Sequence, residues 1–201
     1  MTAFLNCLQN LLDKTRAIDF LGPLALRIYL APVFILAGSN KLAYAEHLGP
    51  YFASLGIPAP EIMVYVAALT ELLGGIALLV GLAVRWFALP LMFTMVVAAV
   101  TAHWDHGWHA LPETELTVPW EWRTDLIEEA NIRKDKAREL LREHGNYDWL
   151  TETGSITILK NGIEFAATYF IMLLALFFTG AGRYLSLDYW IARRFRRADT
   201  C

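Results

Sequence analysis

The chain has 201 residues, 56% hydrophobic and 18% charged, too apolar for an ordinary soluble domain and too evenly apolar for a disordered one. Its 17 basic and 20 acidic residues nearly cancel, and no basic stripe with interleaved aromatics offers a nucleic-acid surface, which excludes that class of partner. Two cysteines, Cys7 and Cys201, stand at opposite ends with no C-x-x-C between them, which excludes a disulfide framework and a dithiol relay of the usual spacing.

In chain order, residues 1–16 place Phe4, Leu8, Leu11 and Leu12 on one helical stripe and Asn6, Asn10, Asp13 and Lys14 elsewhere. That pattern suits an interfacial amphipathic helix, or a short helix packed on the protein itself. Asp13, Lys14, Arg16 and Asp19 precede the first long apolar run and no small-residue cleavage pattern follows it, so this run is expected to stay rather than be removed as a signal peptide. Apolar runs then occupy 20–37, 62–83, 86–102 and 163–181, each near the about 20 residues that cross a bilayer at 1.5 Å rise. A soluble bundle would show a polar face, and residues 76–84 and 170–178 show none. The predicted fold class is therefore all-α, an integral membrane four-helix bundle. Residues 1–201 form one domain, and 103–156 form an extramembrane, partly helical insertion between spans three and four. Pro23, Pro32 and Pro90 fall inside or at the ends of spans, and kinks are expected at the last two.

Basic residues near span ends set the expected orientation. Lys14 and Arg16 precede the first span, Arg85 sits in the turn between the second and third, and Arg193, Arg194, Arg196 and Arg197 follow the fourth. These places are expected in the cytoplasm, which leaves both termini inside and the loop 39–60 and the insertion outside. Between His103 and Ser155 there are twelve acidic and six basic residues, a balance poorly suited to retention inside. Within the insertion, Thr124 or Asp125 can cap a helix that ends at Gly145, with Leu126, Ile127, Ala130, Ala137, Leu140 and Leu141 on its apolar side and ion pairs such as Glu129–Arg133 on the rest. Trp86, Trp104, Trp108 and Trp190 fall at span ends, where amphipathic rings sit at headgroup level.

Four ionisable residues sit where hydrocarbon is expected: Arg27 in the first span, Glu71 in the middle of the second, and Lys160 with Glu164 at the head of the fourth. A lone charge there costs about 2.5–3.5 kcal/mol on insertion scales, so each needs a partner; Arg27 and Glu71 are the expected pair, either as a staple or as a grip for substrate or protons. Gly74 and Gly75 beside Glu71 make a small-residue face for close helix packing, or room for a ligand. His103, His106 and His109 end the third span, and imidazoles suit copper, zinc or nickel. A continuing helix would spread His103 and His109 by about 240° of arc, so a metal site there requires the loop to fold back. No phosphate loop, G-x-S-x-G elbow or H-E-x-x-H occurs, and no complete catalytic constellation is visible.

The segments R-I-Y-L-A-P-V-F-I-L-A-G-S-N-K-L (27–42), E-L-L-G-G-I-A-L-L-V-G-L-A-V-R (71–85), A-A-V-T-A-H-W (98–104) and N-G-I-E-F-A-A with G-A-G-R-Y-L-S-L-D (161–188) resemble the DoxX family of four-span bacterial membrane proteins. The resemblance implies a family pattern carried by Arg27, Gly38, Lys41, Glu71, Gly74, Gly75, Arg85, His103, Gly180, Gly182, Ser186 and Asp188, and an intramembrane polar cluster of Arg27, Lys41, Glu71, Asn161 and Glu164. The insertion, with H-W-D-H-G-W-H and A-R-E-L-L-R-E-H-G-N-Y-D-W-L-T-E-T-G-S, is similar to the HvfX branch, associated with maturation of secreted copper-binding modified peptides. It implies a bacterial inner-membrane accessory of peptide-modifying enzymes or of a copper-binding peptide, acting in export, anchoring or electron supply. The wider family implies an alternative, a quinone-linked oxidoreductase subunit of the thiosulfate or oxidative-stress type, with Arg27, Glu71 and His103 around a headgroup. Copper and quinone are the ligands these two readings would bring.

Overall fold

The structure, a computed structural model, describes residues 2–111 and 115–195, and the side chains of these except residues 2–4 and 7. The side chains of Phe4 and Cys7, and residues Arg196, Arg197 and Cys201, lie outside the described residues. Every regular element among the described residues is helical, and two compact units divide the chain, residues 1–94 with 170–201 and residues 95–169.

In the first unit, α1 (Thr2–Lys14) is followed by a short 3-10 turn, Thr15–Ile18, and by α2 (Leu21–Ala43), through which Pro32 passes without ending the helix. At Tyr44 the chain breaks and restarts as α3 (Ala45–Ser54), a helix in the segment expected to be a loop. Both α2 and α3 pack on α4 (Pro60–Val80). Pro60 opens α4, where a missing N–H costs nothing, and Gly81, with φ of 70°, closes it in the left-handed conformation that only a residue without Cβ adopts freely. α5 (Val84–Ala98) starts three residues later and contains Pro90.

Glycines let α2 and α4 approach backbone to backbone. A Cβ on Gly38 would lie 2.5 Å from Leu72 N and 2.6 Å from Ala68 O, and one on Gly75 would lie 2.8 Å from Ile35 N. Gly74 faces the third span instead, its Cβ position 2.8 Å from Leu91 Cδ1. The small-residue face therefore serves helix packing, the interaction that holds helices together where lipid is as apolar as leucine.

Large apolar side chains stand outward along these helices, where Trp86 is 77% exposed and Phe93 68%, and along the later helix Glu164–Thr179, where Phe178 is 67% exposed. Soluble proteins rarely leave such contiguous apolar surface to water. Three helices, Leu21–Ala43, Pro60–Val80 and Val84–His106, are long and apolar enough to cross a membrane, and the protein is a helical membrane protein. The expected fourth span appears as the helix Glu164–Thr179, 16 residues with about 24 Å of rise, short of the about 30 Å hydrocarbon layer.

In the second unit, α5 passes into a wider π turn, Ala99–His103, and a 3-10 turn, Trp104–His106, and the chain reverses at Gly107 with φ of 77°. α6 (Asp125–His144) spans the helix expected in the insertion and stops before Gly145; α7 (Tyr147–Leu150) is a single turn, and α8 is the helix Glu164–Thr179. In place of a loose loop, residues 107–110 and 160–164 are zipped together, with amides of Asn161, Gly162, Ile163 and Glu164 donating to carbonyls of Ala110, His109, Gly107 and Trp108. The first amides of a helix have no partner within it, and here two of them, at Ile163 and Glu164, find theirs across the zipper. The last helix, α9 (Leu187–Phe195), belongs to the first unit.

Candidate functional site

The ionisable residues of the apolar helices fall into two separate arrangements in the first unit. Lys41 is in the last turn of α2 and Glu71 is about 16 Å of rise into the 21-residue α4, near its middle. Lys41 Nζ donates to Glu71 Oε2 at 2.5 Å; the lysine side chain keeps 27% exposure and the carboxylate 6%. Gly38 and Gly75 lie about one turn from Lys41 and Glu71, both toward the N-terminal side of α2 because the helices run antiparallel, and they let the two backbones approach closely there. This is a charge pair held at mid-span between two helices, with the lysine end open to its surroundings.

Arg27 makes a different structure. Its buried guanidinium donates from Nε to Leu78 O (2.7 Å), from Nη2 to Leu79 O (3.0 Å), and from Nη1 to Ala181 O (2.8 Å) and Leu185 O (3.0 Å). Leu78 and Leu79 lie in the last turn of α4, where carbonyls run short of helical donors and Leu78 O has beside Arg27 only the 3.2 Å bond from Gly81 N, and a planar fork of five donors satisfies several at once. Asp188 completes the knot: its carboxylate accepts from Ala83 N (2.6 Å) and Val84 N (3.0 Å), capping α5, while its own amide donates to Gly81 O. Ser186 Oγ donates to Gly182 O and accepts from Tyr189 N, starting α9. Arg85 Nη2 donates to Phe178 O at 2.6 Å. Gly81 must lack a side chain because a Cβ there would stand 2.5 Å from Arg27 Nη2.

The expected Arg27–Glu71 pair is therefore corrected. Arg27 reaches the end of α4, about 10 Å of rise beyond Glu71, so its charge is spent on carbonyls and Lys41 is the partner of Glu71. Arg27, Arg85, Gly180, Gly182, Ser186 and Asp188 gather as a fastening of helix ends.

Asn161 and Glu164 belong to the second unit. Asn161, at φ of 65°, accepts from His103 Nδ1 through its backbone oxygen at 2.8 Å, and Glu164 Oε2 accepts from Ala110 N at 3.0 Å and lies 3.8 Å from His109 Nδ1. Among the described residues no three His, Cys, Asp or Glu side chains gather into a set that could hold a metal ion. His103 and His109 are engaged with the zipper, and His106 lines a separate cleft of about 360 Å³ with Arg133, Glu129 and Lys160.

Sequence reasoning missed Glu121. Its carboxylate, fully enclosed, takes Lys160 Nζ at 2.6 Å and the amides of Trp108, His109 and Arg123. Burial alone would raise its pKa; the bonds from Lys160, Arg123, Trp108 and His109 outweigh that and hold it below the usual carboxylate value. The available signal was Gly107 and Gly162: a Cβ on the first would strike Glu121, and one on the second would stand 2.5 Å from the carbonyl oxygens of Gly107 and His109.

Residues 22–104 match the family model described as DoxX. A Bacillus subtilis (strain 168) protein described as "Putative oxidoreductase CatD" is 33% identical over 81 residues, which are 40% of this chain and 59% of that protein. A Mycobacterium tuberculosis protein described as an uncharacterized membrane protein is 35% identical over 78 residues, 38% of this chain and 48% of that protein. The matched stretch spans about half the length of these curated relatives. No solved structure matches.

Proposed function

We propose that this chain, which carries a DoxX domain over residues 22–104, is a membrane subunit of a quinone-linked oxidoreductase system in which Lys41 and Glu71 handle protons beside the quinone headgroup. The observation that carries the reading is the Lys41–Glu71 pair: ionisable residues inside a membrane are costly, and where they persist they commonly mark an ion or proton path. The description of the Bacillus subtilis relative as an oxidoreductase supports it. Reducing a quinone to a quinol takes two electrons and two protons. A partner enzyme supplies the electrons, and a carboxylate–ammonium pair with one open end is suited to pass protons to the headgroup oxygens. Arg27 is withdrawn from the headgroup by its four carbonyls. The test is the quinol-to-quinone ratio in membranes of cells lacking the chain. Restoration by the wild type but not by a stable Lys41→Met/Glu71→Gln double variant is expected, and equal restoration by both would overturn the reading.

A bacterial inner-membrane location, with both termini cytoplasmic and residues 103–156 periplasmic, is supported by Lys14, Arg16, Arg85, Arg193 and Arg194 near span ends. The second reading, an accessory of copper-peptide maturation or export, is supported by the resemblance of the insertion and by its folding as a compact unit on which partner enzymes could dock. His103, His106 and His109 do not fit a copper site as arranged, so no copper step is derived. Deleting the chain and finding the modified peptide made and exported normally would remove this second reading.

A further inference from the structure

The start of α5, the end of α8 and one face of α9 line an open groove of about 620 Å³ in the first unit, with Arg85 and Asp188 on its polar side and Trp86, Ile191, Ala192 and Phe195 on its apolar side. We propose that this groove binds one acidic phospholipid, its phosphate at Arg85 and its acyl chains along Trp86, Ile191 and Phe195. The inference does not depend on the redox reading.

Three features of the first unit argue for a lipid of that charge. Arg85 is exposed and is oriented by its bond to Phe178 O, which uses one N–H of a fork built to meet phosphate oxygens with several. Asp188, the carboxylate among the lining residues, is already committed to the amides of Ala83 and Val84, so it answers the backbone rather than Arg85. α9 carries Leu187, Trp190, Ile191 and Phe195 exposed, with Arg193 and Arg194 in its last turn and the Arg193 guanidinium 5.6 Å from the Trp190 ring centre. An apolar face with basic residues beside it is the signature of a helix lying in a negatively charged membrane surface.

Continuity with the lipid-facing surface decides the occupant. Trp86 and Phe195, at 77% and 75% exposure, extend the apolar belt of α5 and α8 up to the groove, so a molecule with both acyl chains and an anionic head satisfies both sides at once. A soluble anion would leave the aromatics to water.

Native mass spectrometry of the full chain, released from detergent with equal phosphatidylglycerol and phosphatidylcholine, tests this. One retained phosphatidylglycerol is expected, with Arg85→Gln weakening retention about fivefold, the factor corresponding to roughly 1 kcal/mol per basic side chain at a membrane surface. Ala192→Trp, which fills the groove and leaves Arg85 bonded to Phe178, should expel the same lipid even if Arg85→Gln fails to fold. Equal retention of both lipids, phosphatidylglycerol retention unchanged in Ala192→Trp, or displacement of the lipid by inorganic phosphate alone would each overturn the proposal.

Discussion

Lys41 Nζ and Glu71 Oε2 stand 2.5 Å apart between α2 and α4, one charge from the last turn of its helix and the other from the middle of its own. Breaking a buried pair by removing one partner leaves an uncompensated charge, whereas removing both leaves only apolar or neutral groups. Lys41→Met should therefore lower the stability of the purified protein by about 3–5 kcal/mol, and adding Glu71→Gln should recover most of it. Thermal unfolding in detergent measures both; a double variant as unstable as Lys41→Met would show that the two charges are not coupled.

The helix crossing beside that pair tolerates no added carbon. Gly38→Ala places a methyl against the backbone of Leu72 and Ala68, atoms that cannot rotate away, and should cost about 1–3 kcal/mol. Gly22→Ala is the control, since its Cβ position has nothing within 4 Å. Similar melting temperatures for the two variants would contradict the observed crossing.

Arg27 should resist its usual conservative exchange. Lysine offers one charge point for carbonyls on two chain segments, so Arg27→Lys should destabilise by at least about 3 kcal/mol, given that hydrogen bonds to charged groups are worth about 1.5–3 kcal/mol each. An Arg27→Lys variant that melts with the wild type would return Arg27 to the list of functional candidates.

The Glu121 carboxyl lies below its ordinary pKa in the folded protein, so the folded state binds fewer protons than the unfolded one over the interval between the two values. Its contribution to stability is complete above the unfolded pKa and is lost as pH falls through the folded pKa. The protection factors of the Trp108, His109 and Arg123 amides, taken against the intrinsic exchange rate at each pH, should fall on acidification through that interval, and Glu121→Gln should remove this pH dependence. Protection factors at these amides that stay constant on acidification in the wild type would count against the buried pair with Lys160.

Much of the fold is readable in the sequence because lipid imposes a simple rule of length and uniform apolarity, which α2, α4 and the continuous helical run Val84–His106 obey. α6 is equally visible through its charged face and its stop at Gly145. α3 is not, because residues 39–60 mix Lys41, Glu46, Gly49 and Pro50 with apolar residues and satisfy neither the span pattern nor a clear stripe. The site is half legible. Sequence tells which charges need partners, but not the depth at which antiparallel helices bring them level, and that depth gives Glu71 to Lys41 and Arg27 to the carbonyls of Leu78 and Leu79. Glu121 is not legible from its own neighbourhood, since its charge partner lies 39 residues away and the glycines that make room for it, Gly107 and Gly162, point to a close approach without naming the carboxylate.

Binding of a quinone to the purified chain in lipid nanodiscs tests the central reading most directly. A photoactivatable quinone analogue should label α2 or α4 near Lys41 and Glu71, compete with unmodified quinone, and fail to label a folded Lys41→Met/Glu71→Gln variant. Absence of labelling in the wild type, or equal labelling of the double variant, would contradict a proton-handling role for this pair.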